Sequence, residues 1–216
     1  MSGGRKDAAR RRGRGSATKL ALALPALAIT AAVVPGSGPR EAATQPVRAA
    51  RSLPGLLTGF TDEPTFQRGE AKRQAALARV KAARGTVIRL TFNWADIAPR
   101  EPPSPALARD PQWSGYDWRA PDRIVSDVAG AGLVPLFSVT KAPAWAEGPG
   151  RPRVSARVPS GSWRPSPVAF GDFAQALAAR YSGRIPDPAH PDRMLPRVTY
   201  FQAWNEPNLS NFLTPQ

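Results

Sequence analysis

Cysteine is absent from this 216-residue chain and histidine occurs once. Without thiols there can be neither disulfides nor thiolate metal sites, and this absence says nothing against export. The single histidine, His190, sits in the Pro-rich segment "PAHPDR", where a surface role is expected and a catalytic one is not. No phosphate-cradling glycine loop, zinc spacing or Ser-His-Asp arrangement is visible, so neither a metal nor a cofactor is expected. Long hydrophobic runs are missing too. The apolar stretch "LALALPALAITAAVV", Leu20 to Val34, falls short of the roughly 20 residues of a comfortable transmembrane helix.

What is present in quantity is positive charge, a net +14. It is unevenly placed. Residues 1–19 hold seven basic residues against Asp7, a net +6. The remaining +8 is mostly arginine scattered over 197 residues without an aromatic-basic stripe. A solvated basic surface is expected there, and no nucleic-acid partner. A basic run followed by an uncharged apolar segment and the turn-forming "PGSGPREAATQP" reads as a secretory signal, with an uncleaved membrane anchor as the alternative. The Arg11-Arg12 pair matches twin-arginine export poorly. The domain division expected is therefore 1–50 as leader, signal or anchor and linker, and 51–216 as the folded domain. A hydrophobic content of 42% gives that domain enough apolar material for a core.

Within it, two kinds of segment alternate. "LPGLLTGF" is a short apolar run followed by the Ala-rich, basic "RGEAKRQAALARVKAARG", a strand and then a helix. "TVIRLTF", Thr86 to Phe92, is β-branched and aromatic, and "APDRIVSDVAGAG" places Ile124, Val125, Val128 and Ala129 at helical spacing. "LVPLFSV", Leu133 to Val139, pairs in the same way with "PVAFGDFAQALAARYSG". "VTYFQAW" opens a fourth unit. This alternation predicts βαβ units with a parallel sheet, and the near-continuous apolar strands predict burial on both faces. Long connections follow the second and third strands, while the returns at Gly85 and Gly132 are short. In parallel α/β folds the connections after the strands' carboxyl ends carry the site.

The stretch "VTYFQAWNEPN", Val198 to Asn208, ends an apolar strand on a carboxylate, Glu206. Pro207 biases Glu206 away from right-handed helical angles, so the strand is expected to end extended with the carboxylate at its rim. Asn205 beside it offers a donor and an acceptor. That combination suits general acid-base work on a glycosidic oxygen, whereas "NEP" as a bare tripeptide would be a turn. Arg89 lies inside an apolar strand, where an isolated charge is costly, so an acidic partner is expected. Trp94, Trp145 and Trp204 fall at or beyond strand ends, where aromatic faces either stack on sugar rings or pack a loop. Asp96, Glu101 and Glu147 read as solvated loop charges.

"WNEPN" after a fourth strand resembles the acid/base signature of clan A glycoside hydrolases, the cellulase-like and xylosidase-like (β/α)8 barrels. "VIRLTFNWADIAP", "YDWRAPDRIV", "LVPLFSVTKAPAWA" and "FGDFAQALAARY" resemble, in order, that clan's second strand, the following helix start, the third strand and the third helix. The resemblance covers about Leu53 to Asn208. It implies the N-terminal half, about four βα units, of a (β/α)8 TIM barrel preceded by a signal segment. It implies Glu206 as general acid/base, Asn205 as the amide that bonds the sugar 2-hydroxyl, and Arg89 as the arginine beneath the site that fixes the carboxylates. The chain departs from the pattern in having no histidine after its third strand. The second carboxylate, needed about 5–5.5 Å from the first for retention, belongs in that clan to a seventh strand.

The reading is an exported glycosidase segment, secreted or in the cell envelope, and membrane-anchored if the leader stays. It would hydrolyse O-glycosidic bonds of β-linked oligo- or polysaccharides with retention, the nucleophile lying outside this chain and the fragment alone inactive. A non-catalytic carbohydrate-binding or structural half-barrel is the alternative, and a basic interaction protein using the Arg-rich leader a third reading. Residues 1–50 fused to a periplasmic reporter are expected to carry it across the membrane; a reporter retained in the cytoplasm would refute the export signal.

Overall fold

The computed structural model describes residues 56–216, so the leader, the signal segment and the proposed boundary at residue 51 lie outside the described residues. Four strands, β1 (Gly59–Phe60), β2 (Val87–Asn93), β3 (Val134–Thr140) and β6 (Tyr200–Ala203), form one sheet in the order β1-β2-β3-β6. Every pairing in it is parallel. The helices are α1 (Glu63–Phe66), α2 (Glu70–Ala82), α3 (Trp94–Ile97), α4 (Pro105–Arg109), α5 (Arg119–Gly130) and α6 (Pro167–Arg180), with a 3₁₀ turn at Ala144–Ala146. A separate antiparallel hairpin, β4 (Pro186–Asp187) and β5 (His190–Met194), lies in the return from α6 to β6. The first two returns are short, as expected. This third one is not, because "GRIPDPAHPDRMLPR" spends its residues on a hairpin of its own.

The expected burial on both faces holds for the carboxyl-terminal half of β3, where Phe137 and Val139 on one face and Ser138 and Thr140 on the other are buried, but not for β2 or the edge strands. In "VIRLTFN" the residues alternate, and β2 follows that alternation: Ile88, Leu90 and Phe92 are buried while Val87, Arg89, Thr91 and Asn93 are half-buried. Ile88, Leu90, Phe92, Phe137 and Val139 belong to one core with Leu77 and Val80 of α2, Ile124, Val125 and Val128 of α5, and Phe173 and Leu177 of α6. The register sorts the opposite face into layers. Val87 stands beside Val134, Arg89 beside Leu136 and Tyr200, Thr91 beside Ser138 and Gln202, and Asn93 beside Thr140. This face therefore changes from apolar to polar toward the strands' carboxyl ends. Phe60 in β1 and Tyr200 and Phe201 in β6 remain exposed, since neither strand has an outer neighbour among the described residues.

Pro135 inside β3 costs the ladder little. The Val134 N–H donates toward β2, to the Thr86 carbonyl at 2.8 Å, so the next residue's missing N–H faces the other side, where β6 pairs only from Leu136 onward. Helix α6 starts where Ser166 caps it, its hydroxyl accepting from the Ala169 N–H at 3.2 Å with Pro167 following. Gly132, at φ 75°, supplies the left-handed turn that lets α5 drop into β3.

Charge pairs lock the helices to one another. Arg73 of α2 donates to Asp127 of α5 at 2.7 Å. Arg180 of α6 grips Asp122 of α5 with both arms, at 3.0 and 2.5 Å, and the Tyr181 hydroxyl donates to the same carboxylate at 2.9 Å. Asp122 and Arg180 are both buried, so removing one partner strands the other. Burial, and then the negative charge of Asp122, push the Tyr181 phenol well above its ordinary value. A group raised in the folded state binds its proton more tightly there, so its stabilisation is present below the unfolded value near 10 and is lost as pH rises beyond it. Asp122→Ala is expected to cost about 3–5 kcal/mol in urea denaturation. Thermal melts of the parent chain should fall steeply above about pH 10, and less steeply for Tyr181→Phe.

Candidate active site at the carboxyl rim of the sheet

Arg89 is half-buried on the polar face of β2, and its partners are neutral. Its Nε donates to Gln202 Oε1 at 2.9 Å, and its Nη2 to Asn205 Oδ1 at 2.6 Å and Ser138 Oγ at 3.3 Å. Among the described residues it has no acidic partner, which corrects the expected ion pair. Two amide oxygens and a hydroxyl from β3, β6 and the second residue past β6 meet its needs instead. A guanidinium can only donate, so it fixes both amides. Gln202 is left with Nε2 to donate to the Trp204 carbonyl, at 3.0 Å. Asn205 is left with Nδ2, which faces Glu206 Oε2 at 3.4 Å. A donor chain therefore runs from Arg89 through Asn205 to Glu206.

The strand does not end extended. Trp204 has φ 67° and Glu206 φ 37°, both in the left-handed region. Pro207 does exclude right-handed angles for Glu206, but the chain takes the left-handed exit and closes a turn, with the Leu209 N–H donating to the Glu206 carbonyl at 2.9 Å. Such angles cost about 1–3 kcal/mol each and persist only when surroundings impose them. At the first, Gln202 holds the Trp204 carbonyl. The carboxylate of Glu206 is exposed, and Asn205 half-buried.

A third left-handed residue, Lys141 at φ 56°, follows β3 directly. Its carbonyl accepts from the Ala95 N–H at 3.0 Å, and the next residue's N–H donates to Gly161 at 2.9 Å. Gly161 must be glycine: at φ 79° a Cβ would lie 2.7 Å from the Ala142 carbonyl oxygen. Three strained residues thus gather just past the carboxyl ends of β3 and β6, at the end of the sheet where its open face is polar.

The tryptophans divide. Trp94 is fully buried, stacked with Phe173 and edge-on to Trp145 and Phe170, each at 5.5 Å. It offers no face to a sugar. Trp145 is half-buried, its indole N–H donating to the Ala98 carbonyl at 2.9 Å. Trp204 is half-buried, edge-on to Phe170, and its N–H holds the Phe212 carbonyl at 2.9 Å. Both act first as loop ties. Glu147 is no solvated charge: its side chain is 2% exposed, paired with Arg151 at 2.7 Å and accepting from the Trp163 N–H at 3.0 Å. Asp96 and Glu101 are exposed.

Two large cavities lie among the described residues. One of about 960 Å³ runs along α5 and includes Trp118, Asp122, Asp127, Arg180 and the hairpin turn at His190. Asp122 and Asp127 are committed to the arginines already described, and the Arg119 hydrogen bond holds Asp117 below the usual carboxylate range. The other, about 710 Å³, opens at the rim and is lined by Thr91, Asn93, Asp96, Thr140, Lys141 and Phe212, among others. Sequence reasoning singled out none of these as ligand-binding. Position one or two residues past a strand was a usable signal for Asn93, Thr140 and Lys141. Phe212 had none. Among the described residues no cluster of three or more acids or histidines could hold a metal ion, and no helix is long and apolar enough to cross a membrane.

No protein-family model and no curated protein matches the chain. Among solved structures it is similar to a family 39 glycoside hydrolase from the gut symbiont Bacteroides cellulosilyticus WH2, with 22% identity and a TM-score of 0.42 over 70% of this chain and 24% of that one. It is also similar to a beta-galactosidase from the psychrophilic Marinomonas ef1, with 16% identity and a TM-score of 0.45 over 72% of this chain and 22% of that one. The chain thus spans about a quarter of the length of these structures.

Arg89→Met would leave Gln202 and Asn205 without their charged donor, at an expected cost of about 1.5–3 kcal/mol. Glu206→Gln, at an exposed position, should change stability by less than about 0.5 kcal/mol. Urea midpoints of the two variants separate the structural from the chemical member of the donor chain.

Proposed function

We propose that this chain supplies the acid/base side of a retaining glycoside hydrolase acting on β-linked glycans or glycosides, exported to the cell envelope or beyond. The observation that carries the reading is the donor chain from Arg89 through Asn205 to Glu206 at the carboxyl rim of a parallel sheet. Rims of this kind are where such folds do chemistry. Glu206 is the carboxylate there that faces the amide oriented by Arg89.

In the first step the carboxyl group of Glu206 gives its proton to the glycosidic oxygen as the bond from that oxygen to the sugar C1 breaks, and the alcohol departs. A second carboxylate takes C1 and forms a glycosyl ester. In the second step the Glu206 carboxylate removes a proton from water as that water attacks C1 and the ester leaves. The second carboxylate is assigned to no described residue. Asn205, its oxygen occupied by Arg89, turns its amide hydrogens toward the space beside Glu206, where they can hold the hydroxyl next to the reacting carbon. Arg89 touches no substrate and acts as a positioning residue. The oligo- or polysaccharide lies across the rim, with the exposed portions of Trp145 and Trp204 as its apolar walls.

The test uses the protein purified from the organism that makes it. Glu206→Ala is expected to slow hydrolysis of unactivated β-disaccharides by about 10²–10⁴, because their leaving groups need protonation. Aryl β-glycosides with good leaving groups should lose far less in the first step, and azide should restore turnover by attacking the ester without a base. Equal losses on both substrates with no azide rescue would overturn the assignment.

A further inference from the structure

The two ends of the parallel sheet carry different charge. At the carboxyl end the connections hold both signs, with Asp96, Glu101, Asp117, Glu147 and Glu206 standing among basic residues. At the amino end they hold one. The stretches 56–58, 81–86, 130–133, 181–185 and 195–199 leave helices or enter strands there, and they contain Lys81, Arg84, Arg184 and Arg197 but no acidic residue. All four are exposed, and none has an acidic partner among the described residues. Backbone bonds gather these stretches: the Thr86 N–H donates to the Thr58 carbonyl at 2.7 Å, the Val134 N–H to the Thr86 carbonyl at 2.8 Å, and the Val198 N–H to the Tyr181 carbonyl at 2.9 Å. The hairpin between α6 and β6 carries Asp187 and Asp192 with His190 and Arg193. Its turn lies along α5 beside Glu70, the first residue of α2, and Asp117, toward the other end.

Arg84 keeps its place at a cost. It occupies the left-handed position just past α2, at φ 58°, where a glycine would be relaxed. The other two long helices turn back toward the sheet on glycines, Gly132 at φ 75° and Gly183 at φ 80°. Strain of this kind on an exposed side chain is a pointer to use. Beside these residues Leu56 and Leu57 are 58% and 50% exposed, where the chain enters β1. Upstream the sequence adds Arg40, Arg48 and Arg51 against Glu41, and before them the uncharged apolar segment Leu20 to Val34. Basic charge of one sign on one end, exposed leucines within it and an apolar segment covalently upstream form the combination that an anionic lipid surface takes. A nucleic acid fits less well, since the only aromatic residue in the amino-end stretches, Tyr181, is buried and offers no face to a base.

We propose that the amino end of the sheet docks on an anionic phospholipid surface, with Lys81, Arg84, Arg184 and Arg197 against the phosphates and Leu56 and Leu57 in the headgroup layer. The rim then points away from the bilayer. β2 and β3, seven residues each, hold it about 20 Å off the lipid at about 3.3 Å per residue. The proposal stands apart from the glycosidase reading, because none of its residues lies at the rim.

Vesicle partitioning and lipid quenching of the full chain test it. The chain lacks cysteine, so Thr199→Cys at the amino end and Leu209→Cys at the rim, both exposed positions, each accept one fluorophore. On phosphatidylglycerol vesicles that carry a headgroup quencher, the Thr199→Cys label should be quenched and the Leu209→Cys label should not. Phosphatidylcholine vesicles, or about 1 M salt, should abolish the difference. Each basic residue near such a surface is worth about fivefold in partitioning. The combined variant Lys81→Gln, Arg84→Gly, Arg184→Gln and Arg197→Gln should therefore bind phosphatidylglycerol vesicles about a hundredfold more weakly, or worse. A comparable loss of charge at the other end, Arg153→Gln with Arg157→Gln and Arg164→Gln, should change binding by less than about twofold. The leader is common to every variant and cannot produce these differences. Arg84→Gly alone should weaken binding about fivefold while raising the urea midpoint, a split that a purely structural arginine would not give. Equal quenching of both labels, no quenching at Thr199→Cys, or vesicle binding that survives the combined variant would overturn the proposal. So would binding of short duplex DNA with the same four-residue dependence and no response to lipid.

Discussion

A single guanidinium holds the rim of this sheet together. Arg89 reaches from β2 across β3 to β6 and contacts a residue on each, Ser138 and Gln202, and then Asn205 beyond the last strand. Its geometry is planar and its role is donor only, so every group that meets it is forced to present an oxygen. The orientation of both amides follows from that one asymmetry. A lysine would supply a point charge and leave each amide free to flip.

The strained backbone around the rim is intelligible as a consequence. Trp204 and Glu206 adopt left-handed angles that bulky residues seldom take; the Trp204 carbonyl is held by a side chain whose own direction Arg89 dictates, and Glu206 precedes Pro207 and closes its turn on Leu209. Gln202 anchors the Trp204 carbonyl, and the Trp204 indole then positions Phe212. The segment after β6 is thus laid down by a succession of directional bonds. Lys141 reaches the same kind of conformation by other means, through Ala95 on one side and the close approach of Gly161 on the other.

Much of the fold was legible in the sequence. "TVIRLTF" and "LVPLFSV" read as strands within one residue of β2 and β3, because β-branched and aromatic runs bounded by glycine have few other uses. The helices α2, α5 and α6 followed from spacing and their glycine stops. What was not legible depended on partners distant in sequence. Trp94 looks like a rim residue until Phe170 and Phe173 close over it from α6. Arg89 looks as if it needs a carboxylate, since nothing local announces two amides more than a hundred residues away. Glu147 looks solvated until Arg151 and the Trp163 N–H enclose it. The α6–β6 hairpin is polar and Pro-rich, so neither period marks it.

That hairpin separates two kinds of freedom in the chain. β4 and β5 pair only with each other, outside the main sheet, and β5 is exposed along its whole length. It belongs to a helix-to-strand return, the class of connection opposite to those that shape the rim. Residues there can be lengthened, shortened or exchanged without altering the register of β6 on β3, provided that Leu195 and Val198 still enter the core. The protein therefore keeps a region open to insertion, such as a tag or a tethering sequence, at a distance in connectivity from every residue whose angles are constrained.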